Sequence, residues 1–245
     1  MRILSIDSSL GTQVAVVDTA ETAGLPVTCP VQVLSRAEQA DTRRHAESLG
    51  QMLSEALSAS GVADRPLDAV VAATGPAPFT GLRAGLVTAR VVGRTRGIPV
   101  HGVSSLDAVA RLALDEFGAR QGEKDPVVLV ATDARRREVY AALFRANGPD
   151  DVTRLTEISV CPPAQVAECI AVQAPEQCSG AAAIDTVAGS GAALYPELVG
   201  TASCHEVLAP VSGDALTQVR IALARLGHGE ELGTQPLYLR HADVQ

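Results

Sequence analysis

The sequence is poor in aromatic residues, which make up 2% of its 245 positions and include no tryptophan. A platform that stacks unpaired nucleotide bases needs clustered aromatic side chains, so this class of single-strand binder is excluded. The chain also carries a net charge of −8. Because proteins that bind nucleic acid through its phosphates are basic, autonomous binding of tRNA or DNA is disfavoured, and any such role is expected to run through a partner.

Lysine occurs once, as Lys124, in Gly-Glu-Lys-Asp rather than in the Gly-Lys-Ser/Thr of a P-loop. P-loop NTPases are therefore excluded, and lysine Schiff-base chemistry is disfavoured. The five cysteines include no Cys-x-x-Cys pair, which speaks against a zinc site and against a disulfide framework. No two histidines stand four residues apart, and no serine lies in a Gly-x-Ser-x-Gly elbow.

Long apolar runs are also missing. No stretch reaches the roughly 20 apolar residues that span a membrane. The apolar segment at the N-terminus ends at Asp7, which makes it too short for a signal peptide. We therefore expect a cytoplasmic protein with reduced thiols. Apolar residues make up 47% of the chain, which is typical of a globular protein with a true core.

Two segments share one format: a short apolar strand, an aspartate at its end, a polar turn and a second strand. The first runs through Ile3–Ile6, Asp7 and Val14–Val17, and the second through Val127–Val130, Asp133 and Val139–Leu143. Their positions near the start and the middle of the chain predict two related halves. We place an N-terminal lobe at residues 1–120 and a C-terminal lobe at 121–245, with the last helix and tail packing back on the N-terminal lobe.

Helical patterns alternate with the strands, which predicts an α/β protein. Helices are expected over residues 42–60, 80–93, 106–117, 165–171 and 214–226. Thr80, the Ser104–Ser105 pair and Asp214 are the predicted N-caps of three of them. Leu237–Leu239 is predicted to be a last short strand.

Polar residues at the strand ends and glycine turns are weak candidates for a nucleotide site. They are Asp7, Ser8, Ser9, Asp133, Gly189 and Gly191. A carboxylate beside turn amides can position a Mg²⁺-phosphate. Each candidate also has a plain structural alternative: an Asx-turn at Asp7, a solvated hairpin at Asp133 and a tight strand-to-helix turn at the glycines. The run Arg135–Arg137 could hold an anion, or it could be a solvated hairpin turn.

Small residues recur at every fourth position of the second predicted helix: Gly81, Gly85, Ala89 and Gly93. Such a stripe lets another backbone approach closely, either from the helix's own sheet or from a second subunit. The first predicted helix carries a compact apolar face. From both helices we predict a partner or dimer interface consisting of His45, Leu49, Leu53, Leu82, Gly85, Leu86 and Ala89.

Six segments together resemble the TsaB (YeaZ) family. They are Ile3–Ser9, Arg44–Leu49, Gly75–Gly85, Gly102–Leu106, Asp133–Tyr140 and Pro236–Arg240. The most specific are Gly-Pro-x-x-Phe-Thr-Gly-Leu-Arg and Asp-Ala-Arg-Arg-x-Glu-Val-Tyr. The resemblance covers nearly the whole chain and is weakest between residues 147 and 187.

The resemblance implies the two-lobed fold of actin, sugar kinases and heat-shock chaperones. It also implies partnership with a TsaD-like catalytic subunit and a TsaE-like ATPase. Together these install threonylcarbamoyl on the adenosine next to the tRNA anticodon. ATP and a metal are then expected on the partner subunits, with no cofactor held tightly by this chain. A homodimer is possible in isolation, and tRNA would be met only within the complex.

The chain departs from TsaD-like sequences where these carry two metal-binding histidines. Ser105 and Val109 occupy the corresponding positions, and valine has no lone pair to offer a metal. His101 lies on the wrong side of the strand end to substitute. We therefore expect a non-catalytic subunit. The alternative is an ATP-binding or ATP-hydrolysing enzyme that uses Asp7 and Asp133, and a third idea, a peptidase, lacks a nucleophile–base pair.

Overall fold

The computed structural model describes residues 1–19, 31–40, 45–59, 61–121, 125–174, 184–201, 207–208 and 212–239. The elements of the first hundred residues are β1 (Arg2–Asp7), β2 (Thr12–Thr19), β3 (Val31–Gln39), α1 (His45–Ser58), β4 (Ala69–Ala73), α2 (Phe79–Arg96) and β5 (Val100–Val103). Among the described residues, no helix has both the length and the apolar character that crossing a membrane requires.

The remaining described residues continue the alternation of strands and helices. Their elements are α3 (Ser105–Gln121), β6 (Val128–Arg135), β7 (Glu138–Asn147), β8 (Asp151–Arg154), β9 (Ser159–Cys161), α4 (Val166–Gln173), β10 (Thr186–Ala188), α5 (Ser190–Leu194), β11 (Val207–Leu208) and α6 (Ala215–Gly227). Short 3₁₀ turns at Pro163–Gln165 and Pro196–Thr201 lie between them.

The two sheets have the same topology. The first has the order β3-β2-β1-β4-β5 and the second β11-β10-β6-β7-β8, with β9 also paired to β7. In each sheet an antiparallel hairpin leads, and two parallel strands extend it on the side of the first hairpin strand. The prediction of two related α/β halves, each led by a hairpin, is confirmed, and with it the two-lobed fold class.

In the first unit, helices cover both faces of the sheet. Alternate residues of β1 point to opposite faces. Leu4 and Ile6 pack with α1 and α2 in one core cluster. On the other face, Asp7 bonds to Gln218 of α6. The site residues of β1 are thus held between two helical layers.

The second unit repeats this arrangement around the β6–β7 hairpin. On one face, Val128 and Val130 pack with α3. On the other face, Leu129 packs with Val166 and Ile170 of α4. All five side chains are nearly inaccessible to solvent.

The division between the units differs from the predicted one at residue 120. The first compact unit comprises Met1–Ser105 and Asp214–Leu237, and the second comprises Leu106–Gly213 and Tyr238–Gln245. Helix α3 belongs to the second unit because its apolar face, including Leu106 and Val109, is part of the core of the second sheet. Helix α6 belongs to the first unit.

One of the three predicted helix N-caps is confirmed. Asp214 caps α6 as predicted, since its carboxylate accepts from the Thr217 amide at 2.7 Å. Thr80 is not a cap, because α2 begins at Phe79 and Pro78 stands in the N-cap position. The hydroxyls of Ser104 and Ser105 are buried and make no hydrogen bond within the described part of the chain.

The predicted last strand is wrong. Residues 230–239 form no strand. Leu237 donates one backbone hydrogen bond to Thr74, and the Leu232 carbonyl accepts one from Gly102. These isolated bonds fix the segment against the first unit without building a ladder.

Candidate functional site

Asp7, the first nucleotide-site candidate, is buried at the end of β1 with both oxygens engaged. Oδ1 accepts from the Ser9 amide at 2.7 Å and from the Ser9 hydroxyl at 2.6 Å. Oδ2 accepts from the Gln218 side chain at 2.6 Å. The Asx-turn alternative is therefore the arrangement in the structure, strengthened by a contact from α6.

Burial raises the pKa of Asp7, and the nearby Asp214 carboxylate raises it further. The hydrogen bonds from Ser9 and Gln218 oppose this shift by stabilising the carboxylate. A ligand for Mg²⁺ must present an oxygen atom that is accessible to the ion. Asp7 is 3% exposed and has both oxygens engaged, so its geometry is that of a structural anchor.

Ser8 points to the opposite face of the sheet and holds α2. Its hydroxyl donates to the Gly81 carbonyl at 2.8 Å and accepts from the Gly85 amide at 3.1 Å. Strand β1 and its end thus bind one helix through Asp7 and another through Ser8.

Asp133, the equivalent residue of the second unit, secures the β6–β7 turn. Its Oδ1 accepts from the Arg135 amide at 2.9 Å, and its Oδ2 lies 3.3 Å from Nη1 of Arg135. The Asp133 amide donates to the Ser190 hydroxyl at 3.0 Å. Asp7 and Asp133 lie in different units, and each makes these bonds within its own unit.

Gly189 and Gly191 are explained by close packing. Gly189 has a φ of 107°, and a Cβ there would lie 2.3 Å from the Ala131 carbonyl oxygen. A Cβ on Gly191 would lie 2.7 Å from Cγ1 of Val139. The tight strand-to-helix turn accounts for both glycines, and α5, with five residues, is too short to form an anion site of its own.

The predicted interface needs correction, because most of its residues form the core of the first unit. Buried there are Leu49, Leu82, Gly85, Leu86 and Ala89, while Leu53 is half-buried. The stripe of small residues on α2 faces the sheet of its own unit, which is the first of the two alternatives that the sequence left open. Its Gly93 leaves room for Val100, whose Cγ2 would lie 2.2 Å from an added Cβ. The side chain of His45 lies outside the described residues.

The outer face of α2 carries the exposed apolar surface instead. Val87 and Val91, one turn apart, are 57% and 54% exposed. Half-buried Ala84 and, on α1, Leu53 and Leu57 pack against the core of the same unit. We call these five residues the α1–α2 surface. A recognisable signal was present in the sequence, since valines 87 and 91 repeat at i, i+4 opposite the small stripe.

The charge around the α1–α2 surface is unevenly distributed. Helix α2 contains four arginines and no acidic residue, although the chain as a whole is acidic. Helix α1 presents the exposed carboxylates Glu47 and Glu55. This surface therefore suits a partner with an apolar centre and charges of both signs around it.

The positions that correspond to the two metal-binding histidines of TsaD-like chains hold buried residues. Val109 is 1% exposed within the core of the second unit, and Ser105 is 4% exposed at the start of α3. Within the described ranges, no three His, Cys, Asp or Glu side chains converge as a metal ion would require. The residues present do not fit the metal.

Gln218 was missed by sequence reasoning. It lies 211 residues from Asp7, is fully buried, and donates to that carboxylate from α6. A glutamine on the apolar face of a helix was the available signal, because a buried amide requires a partner.

Comparison with known proteins places the chain in a family. The model of the tRNA N6-adenosine threonylcarbamoyltransferase family, TsaD, matches residues 32–216. An uncharacterized protein of Mycobacterium tuberculosis is 42% identical over 143 residues, which cover 56% of this chain and 63% of that protein. The tRNA threonylcarbamoyladenosine biosynthesis protein TsaB of Haemophilus influenzae is 34% identical over 117 residues, 46% of this chain and 47% of the relative.

The match to these curated relatives thus spans less than two thirds of their length. The structure of YeaZ from Pseudomonas aeruginosa superposes with a TM-score of 0.70 at 23% identity, over 97% of this chain and 99% of that one. That likeness shows a shared fold over nearly the whole chain. The chain belongs to the tRNA N6-adenosine threonylcarbamoyltransferase family and is a TsaB/YeaZ-like member of it.

Proposed function

We propose that this chain is a non-catalytic subunit that binds and activates a TsaD-like catalytic subunit for threonylcarbamoyl transfer to the tRNA adenosine next to the anticodon. The observation that carries the proposal is the pair of exposed valines, Val87 and Val91, on a helix whose other face is buried. Membership of the family and the name of one relative, TsaB, support a role in tRNA threonylcarbamoyladenosine biosynthesis.

The residues that replace the metal ligands speak against catalysis. Val109 is packed in the core of the second sheet, where a charged metal would be stripped of water. Restoring a histidine there would displace core packing rather than rebuild a site. In this proposal the TsaD-like and TsaE-like partners bind the metal and the ATP of the reaction. The tRNA binds only to the assembled complex.

The partner is expected to cover the α1–α2 surface. Burying the remaining half of each valine side chain is worth about 1 kcal/mol per residue, roughly half of the value for a fully exposed side chain. The arginines of α2 and the carboxylates of α1 would set the orientation of the partner rather than most of the affinity. Because the surface carries both signs, a second copy of this chain can also pair with it in isolation.

The test is the double substitution Val87→Asp/Val91→Asp, with binding of a TsaD-like subunit measured by titration calorimetry. The substitutions remove apolar surface from the interface and place two carboxylates there, which must lose water on binding. We therefore expect the affinity to fall by about 100-fold or more. The matched control is Val172→Asp, which changes a valine that is 80% exposed on α4 of the second unit. Its affinity should stay unchanged. Equal affinities for all three proteins, each with a wild-type melting temperature, would refute this surface as the interface.

The enzyme alternative, with Asp7 and Asp133 as nucleotide ligands, gains no support from the geometry. Both carboxylates are held by turn amides and neighbouring side chains of their own unit. The peptidase idea has no Gly-x-Ser-x-Gly elbow in the sequence to support it.

A further inference from the structure

The turn between β6 and β7 has an unusual backbone. Arg135, Arg136 and Arg137 all have positive φ angles, at 65°, 55° and 59°. The left-handed region is disfavoured for residues with a Cβ, and hairpin turns that need it normally use Asn-Gly or Gly-Gly. Three consecutive arginines in this conformation store strain that glycines would relieve. Such strain persists where the residues serve a purpose other than stability.

The base of the turn is rigidly fixed. Asp133 accepts from the Arg135 amide and pairs with the Arg135 guanidinium, while its own amide donates to Ser190. A bulge interrupts the ladder between Asp133 and Arg135, and Arg135 then pairs in register with Glu138. The hydrogen bonds and the strand pairing at its base therefore fix the conformation of the turn.

The three side chains project from this base toward solvent. All three arginines are exposed, and the side chain of Arg135 is 53% exposed even while paired with Asp133. Three guanidinium groups on adjacent residues concentrate positive charge on a chain whose net charge is −8. An anionic partner approaching the second unit thus meets one local basic site.

We propose that the Arg135–Arg137 turn binds phosphate groups of the tRNA backbone within the assembled complex. The inference rests on the proposed function, which brings an RNA to this chain. Guanidinium groups bind phosphate oxygens through paired N–H donors, and a preorganised turn loses little entropy on binding. The contact would position the RNA without reading its sequence.

The experiment compares the wild-type complex with one that carries Arg135→Ala/Arg136→Ala/Arg137→Ala. Affinity for tRNA is measured by fluorescence anisotropy between about 50 and about 200 mM salt. Each phosphate that the variant no longer neutralises lowers the slope of log affinity against log salt by about 1, so we expect a decrease of about 2–3 and weaker binding at every salt concentration. The charge-matched control, Arg36→Ala/Arg65→Ala/Arg154→Ala, removes three exposed arginines outside the turn and outside α2 and should keep the wild-type slope.

A second variant separates binding from folding. Arg136→Asn/Arg137→Gly supplies the residues that a left-handed turn prefers, so its melting temperature should rise while the salt slope falls by about 2. Wild-type tRNA affinity and slope in both turn variants would overturn the proposal. Loss of complex formation by the alanine variant would also overturn it, because the turn would then be a protein contact.

Failure of the proposed function gives a different result. If the wild-type chain forms no complex with a TsaD-like subunit, gel filtration shows it before any RNA is added. The affinity for tRNA is then measured on the isolated chain at about 20 mM salt, where phosphate contacts are strongest. A difference between the wild type and the turn variants supports the phosphate site independently, and its absence refutes it.

Discussion

The hydroxyl of Ser8 lies between two turns of α2 and accepts from the amide of Gly85 at 3.1 Å. A Cβ at residue 85 would lie 2.2 Å from that hydroxyl oxygen and 3.1 Å from Cβ of Ser8. Glycine inside a helix costs about 1 kcal/mol relative to alanine. Here the cost is offset by a hydrogen-bonded strand–helix contact that no larger residue permits.

We therefore expect Gly85→Ala to destabilise the protein in spite of its higher helix propensity. Overpacking against β1 should lower the free energy of unfolding by about 1–3 kcal/mol, measured by urea denaturation. The matched control is Gly50→Ala on α1, where an added Cβ meets nothing within 4 Å. That change should stabilise by roughly 0.5–1 kcal/mol. Equal effects at both glycines would contradict the steric role of Ser8.

Asp7→Asn tests the buried carboxylate through pH. Because the pKa of Asp7 is raised on folding, its stabilising contribution is complete below the unfolded-state pKa and is lost as pH rises through the folded-state pKa. Asparagine does not ionise and escapes this loss. As pH rises above 3.8, the ordinary pKa of aspartate, the free energy of unfolding of the variant should therefore increase relative to that of the wild type.

The structure also predicts that this variant keeps the contact with α6. Within the described part of the chain, Oε1 of Gln218 has no hydrogen-bond partner, so rotation of the amide lets that oxygen accept from the new Asn side chain. Asp7→Ala offers no acceptor to the Ser9 amide or to Gln218 and should cost about 1–3 kcal/mol. Identical pH profiles for wild type and the asparagine variant would show that burial does not control the Asp7 pKa.

Local patterns predicted the hairpins well. The buried runs of β1 and β6, each closed by an aspartate and a polar turn, are signals that a short stretch of sequence contains. Strand β3 escaped prediction because it lies at the sheet edge and its nine residues lack a regular alternation of buried and exposed positions. Edge strands are specified by the neighbour that they pair with as much as by their own pattern.

Long-range contacts account for the misassigned site. The small stripe of α2 correctly indicated a close approach, but periodicity cannot say whether a sheet or a partner approaches. The contact between Gly85 and Ser8 shows that the sheet approaches the stripe, but these two residues are 77 positions apart in the chain. The Gln218 contact to Asp7 is similarly remote, so the engagement of Asp7 was invisible in the sequence around it.

Engagement of Asp7 leads to a prediction about nucleotides. Its two oxygens receive three hydrogen bonds from Ser9 and Gln218, and the chain has no P-loop lysine. We expect calorimetric titration of the isolated chain with Mg·ATP to show no micromolar binding and phosphate release to stay at background. Opening the site would require breaking these three hydrogen bonds and leaving the Gln218 amide without its acceptor. Gln218→Ala removes one donor and should leave ATP binding undetectable while lowering stability. Micromolar affinity in the wild type that disappears in Asp7→Ala would instead identify Asp7 as a nucleotide ligand and restore the kinase-like alternative.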